Sequence, residues 1–129
     1  MTEGLNVLVV DDNAFMRRVL RGILEPMGHV VIEAGDGMEA IMFHQAWRPD
    51  LILMDIAMPI LDGLSAAAQI RAADPAVKLI MCSEAGQGEL ILRALRNGAN
   101  EFIVKPYHAN RIATIIDELL PCHPQQQKG

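Results

Sequence analysis

Asp11, Asp12, Asp55, Ser83 and Lys105 are the side chains of this sequence best suited to chemistry. Each stands at the end of a short apolar run: VLVV leads into Asp11 and Asp12, LILM into Asp55, LIMC into Ser83 and FIV into Lys105. Were those runs neighbouring strands, the polar groups would share one edge of a sheet. Three carboxylates crowded together repel and resist ionisation unless a cation lies among them. Their oxygens are hard ligands suited to Mg²⁺ (or Mn²⁺), which takes one or two carboxylates, waters and a phosphate. A carboxylate oxygen left free there could attack phosphorus and form an aspartyl phosphate. Lys105 and the Ser83 hydroxyl would then bind the phosphoryl oxygens as charge develops. Asp55, at the end of an unbroken apolar run with Pro59 and Asp62-Gly63 just beyond, is the best-placed nucleophile. An Asp after a strand can also be a plain helix cap, so the case rests on all five residues falling on one edge.

The elements that would have to place them are legible in the periodicity. Strands are expected at 7–10, 30–33, 51–54, 77–82 and 102–104. Between the first two, Met16, Val19, Leu20, Ile23 and Leu24 recur at helical spacing, with Asp12 or Asn13 as cap and Pro26-Met27-Gly28 as stop. Further helices are expected at 38–47, 64–72 and 89–97, the last of these stopped by Gly98. A final helix carries Ile112, Ile115, Ile116 and Leu119 on one face. Strict strand-helix alternation predicts an α/β fold, a doubly wound five-stranded parallel sheet flanked by five helices. Ligands of such sheets bind beyond the carboxyl ends of the strands, which is where the five polar groups would lie. In the fourth helix, Ile91, Ala94 and Leu95 are expected to face the sheet, with Leu92 turned about 100° away. Trp47 is expected to pack near the opposite end of the third strand from Asp55.

Composition narrows the classes. The chain has 129 residues, 51% hydrophobic and 21% charged, enough for one domain with an aliphatic core. Its net charge of −5 argues against a general nucleic-acid binder, which would present a basic face. No apolar run approaches the length of a membrane span, and MTEGLN is too short and acidic for a signal peptide, so a cytoplasmic protein is expected. Cys82, inside an apolar run, reads as a buried, inert thiol, unpaired with the distant Cys122. His29, His44, His108 and His123 show no metal-ligand spacing and are expected on the surface or in turns. Residues 121–129 read as a disordered polar tail, leaving residues 1–120 as the domain. The run Gln125 to Gln127 also resembles the start of a linker to a further domain.

VLVVDDNAFMRRVL, LILMDIAMPILDG, IMCS and EFIVKP, in this order and spacing, resemble the receiver domains of two-component response regulators, in particular the single-domain CheY-like type. The resemblance runs from about Leu5 to Leu120. It implies the flavodoxin-like strand order 2-1-3-4-5. It implies a phosphorylation-driven signalling switch without an output domain of its own, not an enzyme beyond its own phosphoryl transfer and slow autodephosphorylation. Asp55 would be the phosphoacceptor, charged by a sensor histidine kinase or a histidine phosphotransfer protein. Asp12, Asp55 and the backbone carbonyl of Ala57 would hold Mg²⁺, with Asp11 acting through a bound water. Ser83 would reach the phosphate and Phe102 would be the switch aromatic, moving inward as Ser83 engages. Lys105 would contact the phosphoryl group, and the Lys105-Pro106 bond is usually cis in such proteins. A downstream target protein would read the fourth helix, fifth strand and fifth helix, the protein being a monomer or a weak phosphorylation-dependent dimer.

Two positions depart from the family's commonest pattern. Ala57 brings no polar side chain two residues after Asp55, and Glu84 follows Ser83 where a small residue is usual. Both bear on how long a phosphoryl group would survive. Other readings fit less well. A haloacid-dehalogenase-type phosphatase would carry a second Asp at position 57 and a cap domain. A nucleotide- or flavin-binding module would present a glycine-rich first loop, not Asp-Asp-Asn. A receiver-like docking protein that is never phosphorylated would have no need of the complete set of acceptor-site residues.

Overall fold

The computed structural model describes residues 4–121. Strands β1 (Asn6–Val10), β2 (Val30–Ala34), β3 (Leu51–Asp55), β4 (Lys78–Ser83) and β5 (Glu101–Val104) alternate with helices α1 (Ala14–Leu24), α2 (Gly37–Trp47), α3 (Gly63–Ala73), α4 (Gly88–Arg96) and α5 (Ala109–Leu119). The five strands form one parallel sheet in the order β2-β1-β3-β4-β5. This is the doubly wound, flavodoxin-like architecture expected from the alternation, with element ends shifted by a residue or so. Of the tail expected at 121–129, residues 122–129, with Cys122 and His123, lie outside the described residues. Among the described residues no helix is long and apolar enough to cross a membrane.

Period-two alternation along the strands builds two cores. Leu8, Val10, Ile52, Met54, Leu79 and Met81 point to one face, where Ala40, Leu64, Ala66, Ala67, Ile70 and Ala94 of α2, α3 and α4 cover them. Val7, Val9, Leu51, Leu53, Ile80 and Ile103 point to the other, under Leu20 and Leu24 of α1 and Ile112, Ile115 and Ile116 of α5. Because β3 is covered on both faces, all five of its residues are buried.

The helices start where polar side chains satisfy free backbone amides. Asn13 Oδ1 accepts from the Phe15 N–H at 2.8 Å, Asp36 Oδ1 from that of Glu39 at 2.9 Å, and Asp62 Oδ1 from that of Ser65 at 2.8 Å. Glu39 in turn accepts from the Gly35 N–H at 2.7 Å, a reciprocal cap on α2.

Three expectations are corrected. Leu95 does not face the sheet: it is 44% exposed, and the residues of α4 packed on the core are the buried Ala94 and the partly buried Leu90 and Ile91. His29 and His44 are buried instead of superficial. His29 Nδ1 accepts from the Leu5 N–H at 3.0 Å, and His44 Nε2 lies 2.8 Å from Asp74 Oδ2. Cys82 is buried as expected, and burial pushes its thiol up to about 12, so it stays protonated.

Candidate functional site

Strand register decides which residues meet. Val10 pairs with Met54, which sets Asp11 beside Asp55. Asp55 pairs with Cys82, so Ser83 lies one step beyond on the neighbouring strand. Ser83 pairs with Val104, which brings Lys105 to the same edge. Lys105 is held there by its own backbone, whose N–H donates to Ser83 O at 2.8 Å.

The side chains converge on a cavity of about 290 Å³ lined by Asp11, Asp12, Asp55, Ala57, Ser83, Glu84 and Lys105, with Asn13, Met16 and Ala85 completing it. Lys105 Nζ sits 2.9 Å from Asp11 Oδ2 and 3.0 Å from Asp55 Oδ1. Asp11 Oδ1 accepts from the Asn13 N–H at 2.9 Å. Asp11 is thus occupied at both oxygens, while Asp12 is exposed at the cavity mouth. One ligand atom from each of Asp11, Asp12 and Asp55 lies within 4.8 Å of the others. An all-oxygen set of that span fits a hard divalent cation with room left for water and phosphate.

Burial pushes the Asp55 carboxyl above the usual carboxylate range; the Lys105 hydrogen bond pulls against this, and the charge of Asp11 adds to the rise. Burial works against the Lys105 ammonium as well, but its hydrogen bonds to Asp11 and Asp55 outweigh that and raise its pKa. Asp55 is therefore a carboxylate that gains from an arriving cation, which is how such a group becomes a usable nucleophile.

The surrounding backbone is tightly built. Ile56 N–H donates to Cys82 O at 3.0 Å and Gly63 N–H to Ile56 O at 2.8 Å. A Cβ at Gly63 would fall 2.1 Å from the Asp55 carbonyl oxygen, so only glycine lets α3 begin against the end of β3. The Lys105-Pro106 peptide is cis.

Phe102 stands where the resemblance puts a switch aromatic, its ring 7% exposed and packed with the core beneath α3 and α4. A phenylalanine has no hydroxyl to keep in water, and burying such a ring is worth about 2–3 kcal/mol. Ser83 Oγ meanwhile accepts from the Ala85 N–H at 3.1 Å, within its own loop. Met16 was read from the sequence only as part of the apolar stripe of α1, and Tyr107 was not singled out. Met16 lines the cavity, and the Tyr107 phenol stands beside the Cys82 thiol, its pKa raised chiefly by burial. A methionine on a helix face and a tyrosine after proline carry no signal that would have marked them.

A family model described as the response regulator receiver domain matches residues 7–117. The chemotaxis protein CheY of Listeria monocytogenes is 43% identical over 115 residues, covering 88% of this chain and 97% of that protein. A chain of the CheX-CheY-BeF3-Mg²⁺ complex from Borrelia burgdorferi superposes with a TM-score of 0.86 at 32% identity, covering 91% of this chain and 90% of that one. A chain of the Saccharomyces cerevisiae complex between the histidine phosphotransfer protein Ypd1 and the receiver domain of the response regulator Ssk1 superposes equally well, with a TM-score of 0.86. It is 25% identical and covers 92% of this chain and 90% of that one.

Proposed function

Since this chain belongs to the response regulator receiver family, a family of signalling switches and not of enzymes in the ordinary sense, we propose that Asp55 is its phosphoacceptor. The donor is a phosphohistidine on a sensor histidine kinase or a histidine phosphotransfer protein. The Asp55 carboxylate oxygen bonds to phosphorus as the donor's N–P bond breaks, and that electron pair leaves with the imidazole nitrogen. Asp12, Asp55 and the Ala57 carbonyl would hold Mg²⁺ (or Mn²⁺), with Asp11 acting through a bound water, and the ion would neutralise charge on the phosphoryl oxygens. Lys105 stays on the same oxygens, exchanging part of its contact with Asp55 for the new group.

The observation that supports this reading best is the 3.0 Å Lys105–Asp55 pair inside a cavity that also holds Asp11, Asp12 and Ser83. Ser83 and Phe102 form the switch. The Ser83 hydroxyl, which now accepts from the Ala85 N–H, turns to the phosphoryl group, and the Phe102 ring moves inward behind it. A target protein reads α4, β5 and α5, and residues 1–120 act as one cytoplasmic receiver unit, monomeric or weakly dimeric when phosphorylated. Ala57 and the exposed Glu84 at the cavity set the lifetime of the modified state.

The test is labelling with acetyl phosphate in the presence of Mg²⁺. Wild-type protein should gain one acid-stable, base-labile phosphoryl group and Asp55→Asn none. Undiminished labelling of the Asn variant, or labelling indifferent to chelation of the metal, would remove the assignment.

A further inference from the structure

β1 pairs with both of its neighbours as far as Val10. Asp11 and Asp12 follow at once, and both line the acidic cavity. Asp11 is buried and tied down: its N–H donates to Ala34 O at 3.1 Å, and its carboxylate accepts from Lys105 Nζ and the Asn13 N–H. Asp12 is exposed, so little packs around its side chain, and its direction depends on the peptide that carries it. The Asp11 carbonyl belongs to that peptide. It lies past the last ladder pair and accepts from Arg17 Nη1 at 2.6 Å. Arg17 is held in turn from the edge strand β2, where its Nε donates to Glu33 Oε1 at 2.9 Å. One planar guanidinium therefore spans from β2 to the backbone between two acidic residues. Glu33 is shared, for its Oε2 accepts from Arg21 Nε at 2.8 Å. Arg21 also donates to Glu25 and to Val31 O, neither of which lines the cavity.

We propose that Arg17 is a positioning residue that aims the Asp12 carboxylate at a divalent cation. The proposal rests on the reading of Asp12 as a metal ligand. A peptide unit is planar, so fixing the Asp11 oxygen also fixes the Asp12 nitrogen and the direction in which its Cα presents the side chain. Groups that hold a ligand's orientation from behind govern metal affinity nearly as strongly as the ligands do. Charge alone would make Arg17 a handicap, because a guanidinium near the acidic residues repels an arriving Mg²⁺. The two effects have opposite signs: losing the charge should tighten the ion, and losing the clamp should loosen it. The clamp dominates because the guanidinium charge is already paired with Glu33 and reaches solvent, the Arg17 side chain being 21% exposed.

The test is titration of Mg²⁺ into metal-free wild type, Arg17→Met, Arg17→Gln and Arg21→Met. Affinity is read from the amide resonances of Asp12 and Ala57, and melting temperatures are recorded alongside. Arg17→Met keeps the stem but neither the charge nor the donors, and should weaken Mg²⁺ binding about tenfold. Arg17→Gln, too short to span Glu33 and the Asp11 carbonyl, should weaken it likewise and guards against a packing fault peculiar to methionine. Arg21→Met takes the same charge from the same carboxylate and should stay within about twofold of wild type. A merely structural role would lower the melting temperature of all three variants and leave their affinity alone. Unchanged or tighter binding in either folded Arg17 variant, or an equal loss in Arg21→Met, overturns the positioning role while leaving the metal site in place. If the wild type binds no Mg²⁺, or Asp12→Asn binds it as tightly, the ligand reading falls and the role of Arg17 with it.

Discussion

Lys105 serves two carboxylates at once, and it lowers the pKa of Asp55 by less than burial raises it. Burial, with Asp11 reinforcing it, raises the Asp55 pKa in the folded protein despite the ion pair. Between the unfolded and folded values the native state binds more protons, so this group's contribution to stability falls as pH rises through that window. At neutral pH the metal-free protein therefore carries a penalty that Asp55→Asn lacks, while the amide oxygen still accepts from Lys105. The Asn variant should melt higher by roughly 2–5 °C at pH 7 without metal, with the gap closing below the ordinary carboxylate range. A gap that is absent, or that does not change with pH, would show that burial is not what shifts Asp55. At this scale the sequence was readable where chemistry follows a strand end, as at Asp11, Asp55 and Lys105. It was unreadable at His44, because a buried histidine is recognised by its partner, and Asp74 is thirty residues away in the chain.

Between α2 and the end of α3, the carboxylate of Asp74 does several tasks. It meets His44 Nε2 at 2.8 Å, lies 3.5 Å from the Arg48 guanidinium, and accepts from the N–H groups of Ala76 and Val77 where the chain turns into β4. The His44 hydrogen bond, foremost, holds its pKa below the usual carboxylate value. A depressed folded pKa contributes stability that is present above the unfolded value and lost as pH falls through the folded one. Asp74→Ala should cost about 1.5–3 kcal/mol at pH 7, since it strands a buried imidazole and opens a turn. The deficit measured by denaturant unfolding should shrink in acid; a deficit constant with pH would mean packing and not charge is at stake. The misplacement of Leu95 also belongs to this scale. Ile91, Ala94 and Leu95 make as good an apolar stripe by spacing as Leu90, Ile91 and Ala94 do. The phase is chosen by how α4 sits over the sheet, which no property of the helix alone reports.

Across the whole molecule, the alternation of apolar strand runs with capped helices was enough to foresee the sheet and the edge that gathers the site. What it could not supply was register, the one-residue alignment that sets Asp11 beside Asp55 and Ser83 beside Val104. Polarity also runs along the sheet. Trp47 closes α2 and packs partly buried near the start of β3, whereas Asp55 closes that strand, roughly 13 Å away along it at about 3.3 Å per residue. Saturating Mg²⁺ should accordingly leave Trp47 fluorescence nearly unchanged. A loss of a quarter or more would mean that the metal binds elsewhere or that its effect reaches the far end of the sheet.

The seat of Gly63 on the Asp55 carbonyl gives the pocket one stiff side. There the peptide chain is clamped by backbone contacts that leave no slack, so extra bulk on the carboxylate cannot be accommodated in that direction. The opposite side, from Glu84 to Gln87, is open to solvent and compliant. Like a vice with one fixed jaw, the pocket has one side closed by backbone and one side facing water.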